Sequence, residues 1–194
     1  REPVSILPFS RELGIKDYII GLNGAIISDG TGEDIIYEKN IPPEVAKYVV
    51  YKCEEQNILN IIFIRSKLFI STLEDERVKI FKKYTNTKIE PVGKLSNFIE
   101  QNNLWGSIGK MLQPDDNEIL KKLQFDIVKK WGDDVVAEFS LPFFLEIYNS
   151  SASKGQAMGI IAEKYGIDIG ETIAIGDGEN DLSMIEAAGL GVAM

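Results

Sequence analysis

The hexapeptide at residues 176–181, Gly-Asp-Gly-Glu-Asn-Asp, holds three carboxylates and one amide in a single short turn. It follows an apolar run at 172–175 and precedes a stretch at 181–188 that has the pattern of a helix. An acidic turn between a buried strand and a helix lies at the carboxyl end of that strand, where open parallel sheets bind ligands. Crowded carboxylates repel one another unless a hard cation lies among them, and Mg²⁺ suits carboxylate oxygens. The turn therefore indicates a Mg²⁺ site.

The same turn also has a simpler interpretation, because Asp and Gly are common turn residues and Asp181 could be a helix N-cap. Two other ligand-binding motifs are excluded. An EF-hand loop that began at Asp177 would need Gly and Glu where the chain has Leu182 and Ala188. The dinucleotide pattern G-x-G-x-x-G begins at Gly176, but Asp181 occupies the position of its last glycine.

A lysine lies at the preceding junction between a strand-like and a helix-like segment. The tripeptide Ser153-Lys154-Gly155 separates the apolar run 143–148 from the helix-like run 156–165. A lysine at such a junction can neutralise a phosphate oxygen as a compact point charge. By itself Lys154 fits an ordinary surface lysine, but together with the acidic turn it indicates a phosphate-plus-metal site.

These two motifs resemble the third and fourth motifs of the haloacid dehalogenase-like superfamily. The lysine motif is at 153–155 and the acidic motif, GDGENDLSM, is at 176–184. The chain is more closely similar to the Cof-type phosphatases, which carry a large α/β cap. Residues 1–3 resemble the segment after the second motif of the family, 23–25 the start of the cap, and 144–147 the strand that returns to the core.

The resemblance implies a Mg²⁺-dependent phosphatase that hydrolyses small phosphate monoesters, such as sugar phosphates, through an aspartyl-phosphate intermediate. Asp177 and Asp181 are the implied metal residues, with Asp177 as a direct ligand and Asp181 behind it, orienting a metal-bound water or the lysine. Lys154 would stabilise charge on the phosphoryl oxygens, and Asn180 would donate a hydrogen bond to one of them. Lys154 and Asp181 are therefore the candidate catalytic residues, and Lys154, Asn180 and Asn23 are the candidate substrate contacts. Asn23 fits a turn asparagine before a glycine equally well.

One part of the family pattern is missing from these 194 residues. The nucleophile of the family is the first aspartate of a D-x-D-x-T motif, and no D-x-D sequence occurs here; the pairs 115–116 and 133–134 precede no threonine. The second-motif Ser or Thr would fall before Arg1, and Met194 ends a strand-like run. We therefore expect an internal piece of a longer enzyme that is inactive alone. A phosphate-binding module without turnover and a phosphomutase of the same architecture remain open alternatives.

Composition limits the compartment and the partners. The chain is 44% hydrophobic, but it has neither an apolar run that could span a membrane nor a signal-like start. A net charge of −9 argues against nucleic acid as a partner. Mg²⁺ and one lysine can still attract a small phosphorylated metabolite by inverting the local field. We expect a soluble, cytoplasmic protein that binds such a metabolite and neither nucleic acid nor membrane; the oligomeric state is open.

Two residue counts limit the chemistry. The chain has no histidine, so acid–base steps must use carboxylates, lysine and metal. Its single cysteine, Cys53, excludes an internal disulfide and lies on an apolar stripe, where we expect it to be buried.

The order of predicted elements indicates an α/β fold: a partial Rossmann-like parallel-sheet core with an inserted α+β cap domain. The predicted division is a core segment at 1–17, the cap at 18–149 and the C-terminal part of the core at 150–194. The two junctions are natural hinges for a cap that opens and closes.

Within the cap, the apolar runs 19–27 and 35–37 are expected to form the two strands of one hairpin. Thr72 is expected to cap a helix, and 105–113 to form a strand. A later helix is expected to bury one apolar stripe: Ile119, Leu120, Leu123, Ile127 and Trp131.

Overall fold

The computed structural model describes residues 1–85 and 87–194, which form a mixed α/β structure. The helices are α1 (Pro3–Glu12), α2 (Pro43–Gln56), α3 (Glu76–Phe81), α4 (Leu95–Gln101), α5 (Asn117–Trp131), α6 (Lys154–Tyr165) and α7 (Leu182–Ala187). The strands are β1 (Ile19–Gly21), β2 (Ile26–Ser28), β3 (Ile35–Glu38), β4 (Ile61–Ile64), β5 (Lys67–Ile70), β6 (Ile89–Pro91), β7 (Lys110–Pro114), β8 (Val135–Leu141), β9 (Phe144–Asn149), β10 (Ile173–Gly176) and β11 (Leu190–Ala193).

The largest sheet has six strands in the order β6-β5-β4-β7-β9-β8. Strands β5 and β6 pair in parallel and the other neighbours pair antiparallel. Because successive side chains of a strand point to opposite faces, the sheet supplies two cores. Helices α2, α4 and α5 cover one face, through side chains such as Val49, Ile99 and Leu123. The opposite face packs against α3 and the turn after β1, through side chains such as Phe81 and Leu22.

Helix α5 shows how local sequence starts and orients an element. The Asp116 carboxylate accepts a hydrogen bond from the Glu118 N–H at 2.9 Å and caps the helix. Leu120, Leu123 and Ile127 are buried, as predicted. Ile119 is 41% exposed, contrary to the prediction, because it lies about 100° around the helix from Leu120 and falls outside the buried face. Cys53 of α2 is buried, as predicted.

The apolar run at 19–27 does not form a single strand, contrary to the prediction. Strands β1 and β2 pair antiparallel with each other, and β2 pairs antiparallel with β3. Between β1 and β2, Leu22, Asn23 and Gly24 have φ angles of 50°, 57° and 94°. This left-handed turn reverses the chain. The hydrophobic pattern hides the reversal because the strands on both sides of it are apolar.

Three other boundaries differ from the sequence-based expectation. Asp75 caps α3, because its carboxylate accepts a hydrogen bond from the Arg77 N–H at 2.9 Å. Thr72 accepts from the Glu74 N–H at 3.2 Å and closes the preceding turn instead. The strand expected over 105–113 begins only at Lys110, and β5 was not predicted.

Strands β10 and β11 form a separate, parallel pair that contacts α7, which in turn packs against α6, and the strand–turn–helix–strand order was predicted. Ala174 and Gly176 of β10 are buried. Ile173 and Ile175 point to the opposite face of the pair and are 65% and 58% exposed. Helix α7 thus covers one face of this pair, and small residues such as Gly191 allow it to approach closely.

The division of the chain at residues 17 and 149 remains a prediction. Strands β1, β2 and β3 form their own sheet, which contacts α1 and α6 and also joins the second core of the six-stranded sheet. Within residues 1–85 and 87–194, no helix combines the length and the apolar character needed to cross a membrane.

Candidate active site

Lys154 is the first residue of α6 and follows the helix cap Ser153. The Ser153 hydroxyl accepts a hydrogen bond from the Gln156 N–H at 3.1 Å, which fixes the start of the helix at the lysine. The Lys154 ammonium donates a hydrogen bond to Oδ1 of Asp181. The lysine side chain is 28% exposed and the aspartate side chain is 7% exposed. The lysine motif and the acidic turn therefore meet, and the lysine keeps access to solvent.

Asp181 is held by the backbone of its own turn as well as by the lysine. Its Oδ2 accepts hydrogen bonds from the Asp177 N–H at 3.0 Å and the Gly178 N–H at 3.1 Å. Burial raises the pKa of Asp181, but the Lys154 ammonium and the two backbone amides outweigh it, so that this pKa is lowered overall. Asp181 is therefore a carboxylate that orients both Lys154 and the turn.

Asp177 lies directly after β10 with its side chain exposed. Within the described ranges, no group of three His, Cys, Asp or Glu side chains is arranged to hold a metal ion. Mg²⁺ often takes only one or two protein carboxylates and completes its octahedron with water and substrate phosphate. Asp177 fits such a ligand. Both oxygens of Asp181 are already engaged, so its place at the metal remains a prediction, as does that of Asp177.

Two glycines let three segments meet at backbone contact. A Cβ on Gly24 would lie 2.2 Å from the Ser153 carbonyl oxygen, and a Cβ on Gly155 would lie 2.1 Å from the Ser183 carbonyl oxygen. The Ser183 hydroxyl also accepts a hydrogen bond from the Gly155 N–H at 3.1 Å. Ser183 was not predicted as a site residue, although its place in the 176–184 motif was a signal. This junction fixes the turn after β1, the start of α6 and the start of α7 against one another.

The three predicted substrate contacts, Lys154, Asn180 and Asn23, line one cavity of about 370 Å³. The Asn180 Nδ2 lies 3.5 Å from the Asn23 Oδ1, at the long limit of a hydrogen bond. The volume lies within the range of small-ligand pockets. Arg1 contributes to the wall, and Asp177 is absent among the described residues that line it. The structure therefore brings the predicted substrate contacts together but does not bring the predicted metal ligand into the same cavity.

Tyr148 is a contact that the sequence did not reveal. Its hydroxyl donates a hydrogen bond to Oε1 of Glu138 at 2.8 Å, and its ring lies in the second core together with Leu22 of the turn after β1. Burial, and then Glu138, raise the pKa of Tyr148, so the hydroxyl stays protonated at neutral pH. A contact between the six-stranded sheet and the turn after β1 depends on tertiary packing and leaves no pattern in the local sequence.

Known proteins resemble this chain in sequence. A family model described as haloacid dehalogenase-like hydrolase matches residues 1–194. YxeH of Bacillus subtilis is 29% identical over 178 residues, which cover 92% of this chain and 64% of YxeH. The phosphatase YwpJ of the same organism is 25% identical over 213 residues, covering 100% of this chain and 74% of YwpJ. The alignments thus span between 64% and 74% of the length of these two relatives.

Solved structures resemble it in fold. TM0651 from Thermotoga maritima matches 100% of this chain and 71% of its own, with 30% identity and a TM-score of 0.85. BT4131, described as a subclass IIB sugar phosphatase, matches 100% of this chain and 71% of its own, with 26% identity and a TM-score of 0.76. These likenesses confirm the predicted α/β fold class with its Rossmann-like core. The chain belongs to the haloacid dehalogenase-like hydrolases, the family that its lysine motif and acidic turn indicated.

Proposed function

We propose that this protein is a Mg²⁺-dependent phosphatase acting on small phosphate monoesters, such as sugar phosphates or similar metabolites. The observation that carries the proposal is the Lys154 ammonium, held by the buried Asp181 at the wall of a cavity shared with Asn23 and Asn180. A fixed cation and nearby amides supply the charge stabilisation that a phosphoryl group requires. The names of two relatives, phosphatase YwpJ and sugar phosphatase BT4131, support this substrate class.

Each side chain has a distinct role in the proposal. An ammonium has three N–H donors, so Lys154 keeps two for phosphoryl oxygens after donating one to Asp181. The lowered pKa of Asp181 keeps this partner ionised at neutral pH, which holds the lysine in place. Asn180 donates a hydrogen bond to a phosphoryl oxygen, and Asn23, which lines the same cavity beside it, contacts the substrate.

We propose Asp177 as a direct Mg²⁺ ligand, because its exposed carboxylate follows the end of a strand and its oxygen chemistry suits the ion. Asp181 would lie behind Asp177 and orient a metal-bound water or Lys154. A bound Mg²⁺ would neutralise negative charge on the phosphate and so favour attack by an anionic nucleophile.

The nucleophile in this proposal is an aspartate outside these 194 residues, because no D-x-D sequence occurs within them. Its carboxylate oxygen would bond to phosphorus while the bond from phosphorus to the alcohol oxygen breaks and that oxygen takes up a proton. Water would then hydrolyse the aspartyl phosphate and release inorganic phosphate. We therefore expect no turnover from the 194-residue chain alone.

The missing D-x-D favours one alternative, a module that binds phosphate without turnover. A phosphomutase of the same architecture shares every residue role given above, so no observation in this chain favours it over hydrolysis. A cytoplasmic location, predicted from composition, and a small phosphorylated metabolite as partner, implied by the family resemblance, remain predictions.

The test is inorganic phosphate binding to the 194-residue chain, measured by calorimetry in the presence of Mg²⁺. Lys154→Ala should weaken binding about ten- to a hundredfold, the value of one charge-assisted hydrogen bond. Lys164→Ala is the matched control, because it removes the same charge from the far end of α6, where Lys164 is exposed. Equal losses in the two variants would contradict the assignment of Lys154.

Turnover separates the alternatives. Hydrolysis of an aryl phosphate by the 194-residue chain would contradict the proposal that the nucleophile lies outside it. A longer protein, in which a D-x-D-x-T segment precedes this chain, is the second test. If it binds phosphate but does not hydrolyse the aryl phosphate, the binding module is favoured.

A further inference from the structure

Another cavity, of about 310 Å³, opens on the second-core face of the six-stranded sheet. Lys110 of β7 and Glu146 of β9 are diagonal neighbours on that face, because Lys110 pairs with Tyr148 and Leu112 pairs with Glu146. Their side chains form an ion pair with 2.5 Å between Nζ and Oε2, and they are only 6% and 12% exposed. Both residues line the cavity, so its wall carries a largely buried ion pair.

Much of the remaining wall is aromatic. Phe81 and Phe144 meet edge to face with 6.0 Å between their ring centroids, and Tyr84 meets Phe144 in the same way at 5.3 Å. The Lys110 ammonium lies 5.5 Å from the centroid of the Phe63 ring. All four rings line the cavity. An aromatic wall with a few placed polar groups is typical of a site for a small molecule.

The charges at this wall indicate what kind of molecule fits. The charged side chains among the described residues that line the cavity are two cations and two anions: Arg1, Lys110, Glu2 and Glu146. An ammonium has three N–H donors and a carboxylate has two acceptor oxygens, so one contact between Lys110 and Glu146 leaves donors on one and acceptors on the other. A hydroxyl both accepts and donates, so neighbouring hydroxyls can bind to both residues. A charged group would face a like charge on one of them. The wall therefore fits an uncharged, hydroxylated molecule.

This cavity adjoins the one at Lys154, because Arg1 lines both. The Arg1 carbonyl accepts a hydrogen bond from the Leu22 N–H at 2.7 Å. On the side of the sheet, a Cβ on Gly109, the residue before Lys110, would lie 3.2 Å from Cδ1 of Leu22. The phosphate cavity and the aromatic cavity are thus neighbours across Arg1 and Leu22.

We propose that the aromatic cavity binds the alcohol part of the phosphate monoester, and that this part is an uncharged sugar or polyol. The assignment rests on the proposed function, which places the phosphate at Lys154. Lys110 and Glu146 hold hydroxyls of the sugar or polyol, and the aromatic rings pack against its C–H groups. Two apolar side chains are often as stable as a buried ion pair, so a role in binding gives this pair a use that stability does not.

The first test compares ligands of the 194-residue chain by calorimetry in the presence of Mg²⁺. Inorganic phosphate is the reference, and the probes are glucose 6-phosphate, fructose 6-phosphate and glycerol 3-phosphate. At least one probe should bind about ten- to a hundredfold more tightly than inorganic phosphate, the effect of hydrogen bonds to charged groups. Fructose 1,6-bisphosphate should bind more weakly than fructose 6-phosphate, because its second phosphate meets Glu146. If no probe exceeds inorganic phosphate, or if the bisphosphate binds more tightly, the proposal is overturned.

The second test removes the ion pair. In the double variant Lys110→Met with Glu146→Leu, the preference for the tightest probe over inorganic phosphate should disappear. The control is Lys121→Met with Glu118→Leu, which removes an exposed ion pair from α5 on the opposite face of the sheet and should keep the preference. A preference that survives in the first double variant would overturn the proposal. If that variant does not fold, Tyr84→Ser decides, because Tyr84 is 50% exposed and its loss should lower the preference about threefold. An unchanged preference there would equally overturn it.

Titration with glucose, fructose and glycerol, which carry no phosphate, separates this proposal from the proposed function. The backbone amide ¹H and ¹⁵N shifts of Leu112 and Leu141, which line the aromatic cavity, should move in the wild-type chain and stay unchanged in the double variant of Lys110 and Glu146. If the chain binds no inorganic phosphate, the proposed function fails, while these shifts still decide on the aromatic cavity. Phosphate binding without a sugar preference and without these shifts would leave the proposed function standing and refute the sugar site.

Discussion

The ion pair between Lys110 and Glu146 gives the sharpest stability prediction. It joins β7 and β9 on the second-core face of the six-stranded sheet, with 2.5 Å between Nζ and Oε2 and side chains only 6% and 12% exposed. Glu146→Leu alone leaves the Lys110 ammonium in this environment without its counter-ion. Breaking a buried pair in this way costs about 3–5 kcal/mol. We expect the free energy of unfolding to fall by that amount.

Adding Lys110→Met removes the unpaired charge. Because two well-packed apolar side chains avoid the desolvation of both ions, the double variant should regain the wild-type free energy of unfolding or exceed it. Urea denaturation followed by circular dichroism at pH 7 measures all three proteins. Lys79→Met, which breaks an ion pair whose partners are 71% and 79% exposed, is the control and should change stability by less than about 1 kcal/mol. A double variant as unstable as Glu146→Leu would refute the reasoning.

Acid titration gives an independent check of the same pair. Burial raises the pKa of Glu146, but Lys110 and the Ser140 hydroxyl outweigh it and lower this pKa overall. A carboxyl whose folded pKa is depressed contributes stability above its unfolded pKa and loses that contribution as the pH falls through the folded pKa. We expect wild-type stability to fall more steeply with acid than that of the double variant. If the free energy of unfolding fell equally with pH in the wild type and the double variant, the pairing of Lys110 with Glu146 would be contradicted.

The remaining predictions concern the site and the C-terminal segment. Asp177→Ala should abolish Mg²⁺ binding and any Mg²⁺-dependent turnover, with Asp181→Ala severe but less complete; unchanged Mg²⁺ affinity by calorimetry in the Asp177 variant would contradict the metal assignment. Gly24→Ala should lower the melting temperature far more than Gly14→Ala, because both have positive φ but only Gly24 faces backbone at 2.2 Å; equal shifts would argue against the junction. Hydrogen exchange of the chain should show lower protection at 150–194 than in the six-stranded sheet, because β10 and β11 expose large apolar side chains; equal protection would contradict this.

The motifs and the order of elements at the C-terminal end could be predicted from sequence. Ser153 is a strong helix cap, and the acidic turn follows a short apolar run, so both local signals agree with the final fold. Lys154 meets Asp181 as the two strand-to-helix junctions predicted, although β9 before Lys154 and β10 before the acidic turn belong to different sheets.

The turn after β1 and the contacts of Tyr148 could not be predicted in this way. Leucine disfavours a positive φ, so local preference at Leu22 opposes the conformation that tertiary packing imposes. Tyr148 and Leu22 share the second core only because the sheet face and the turn pack together, which no periodicity encodes. Likewise, the engagement of both Asp181 oxygens depends on the exact path of its own turn, whereas the acidic pattern alone suggested a metal ligand.

The glycine junction has a mechanical consequence for the site. Lys154 and Asp181 belong to segments locked together by the contact of Gly155 with Ser183, so a shift of the six-stranded sheet leaves the separation of their charges unaltered. Leu22, the neighbour of Asn23, instead packs in the second core against the six-stranded sheet. A shift of the sheet would therefore move the Asn23 amide while the ion pair of Lys154 with Asp181 stays unchanged. In the proposed function, affinity for the phosphate charge and the direction of the hydrogen bonds to it can thus vary separately.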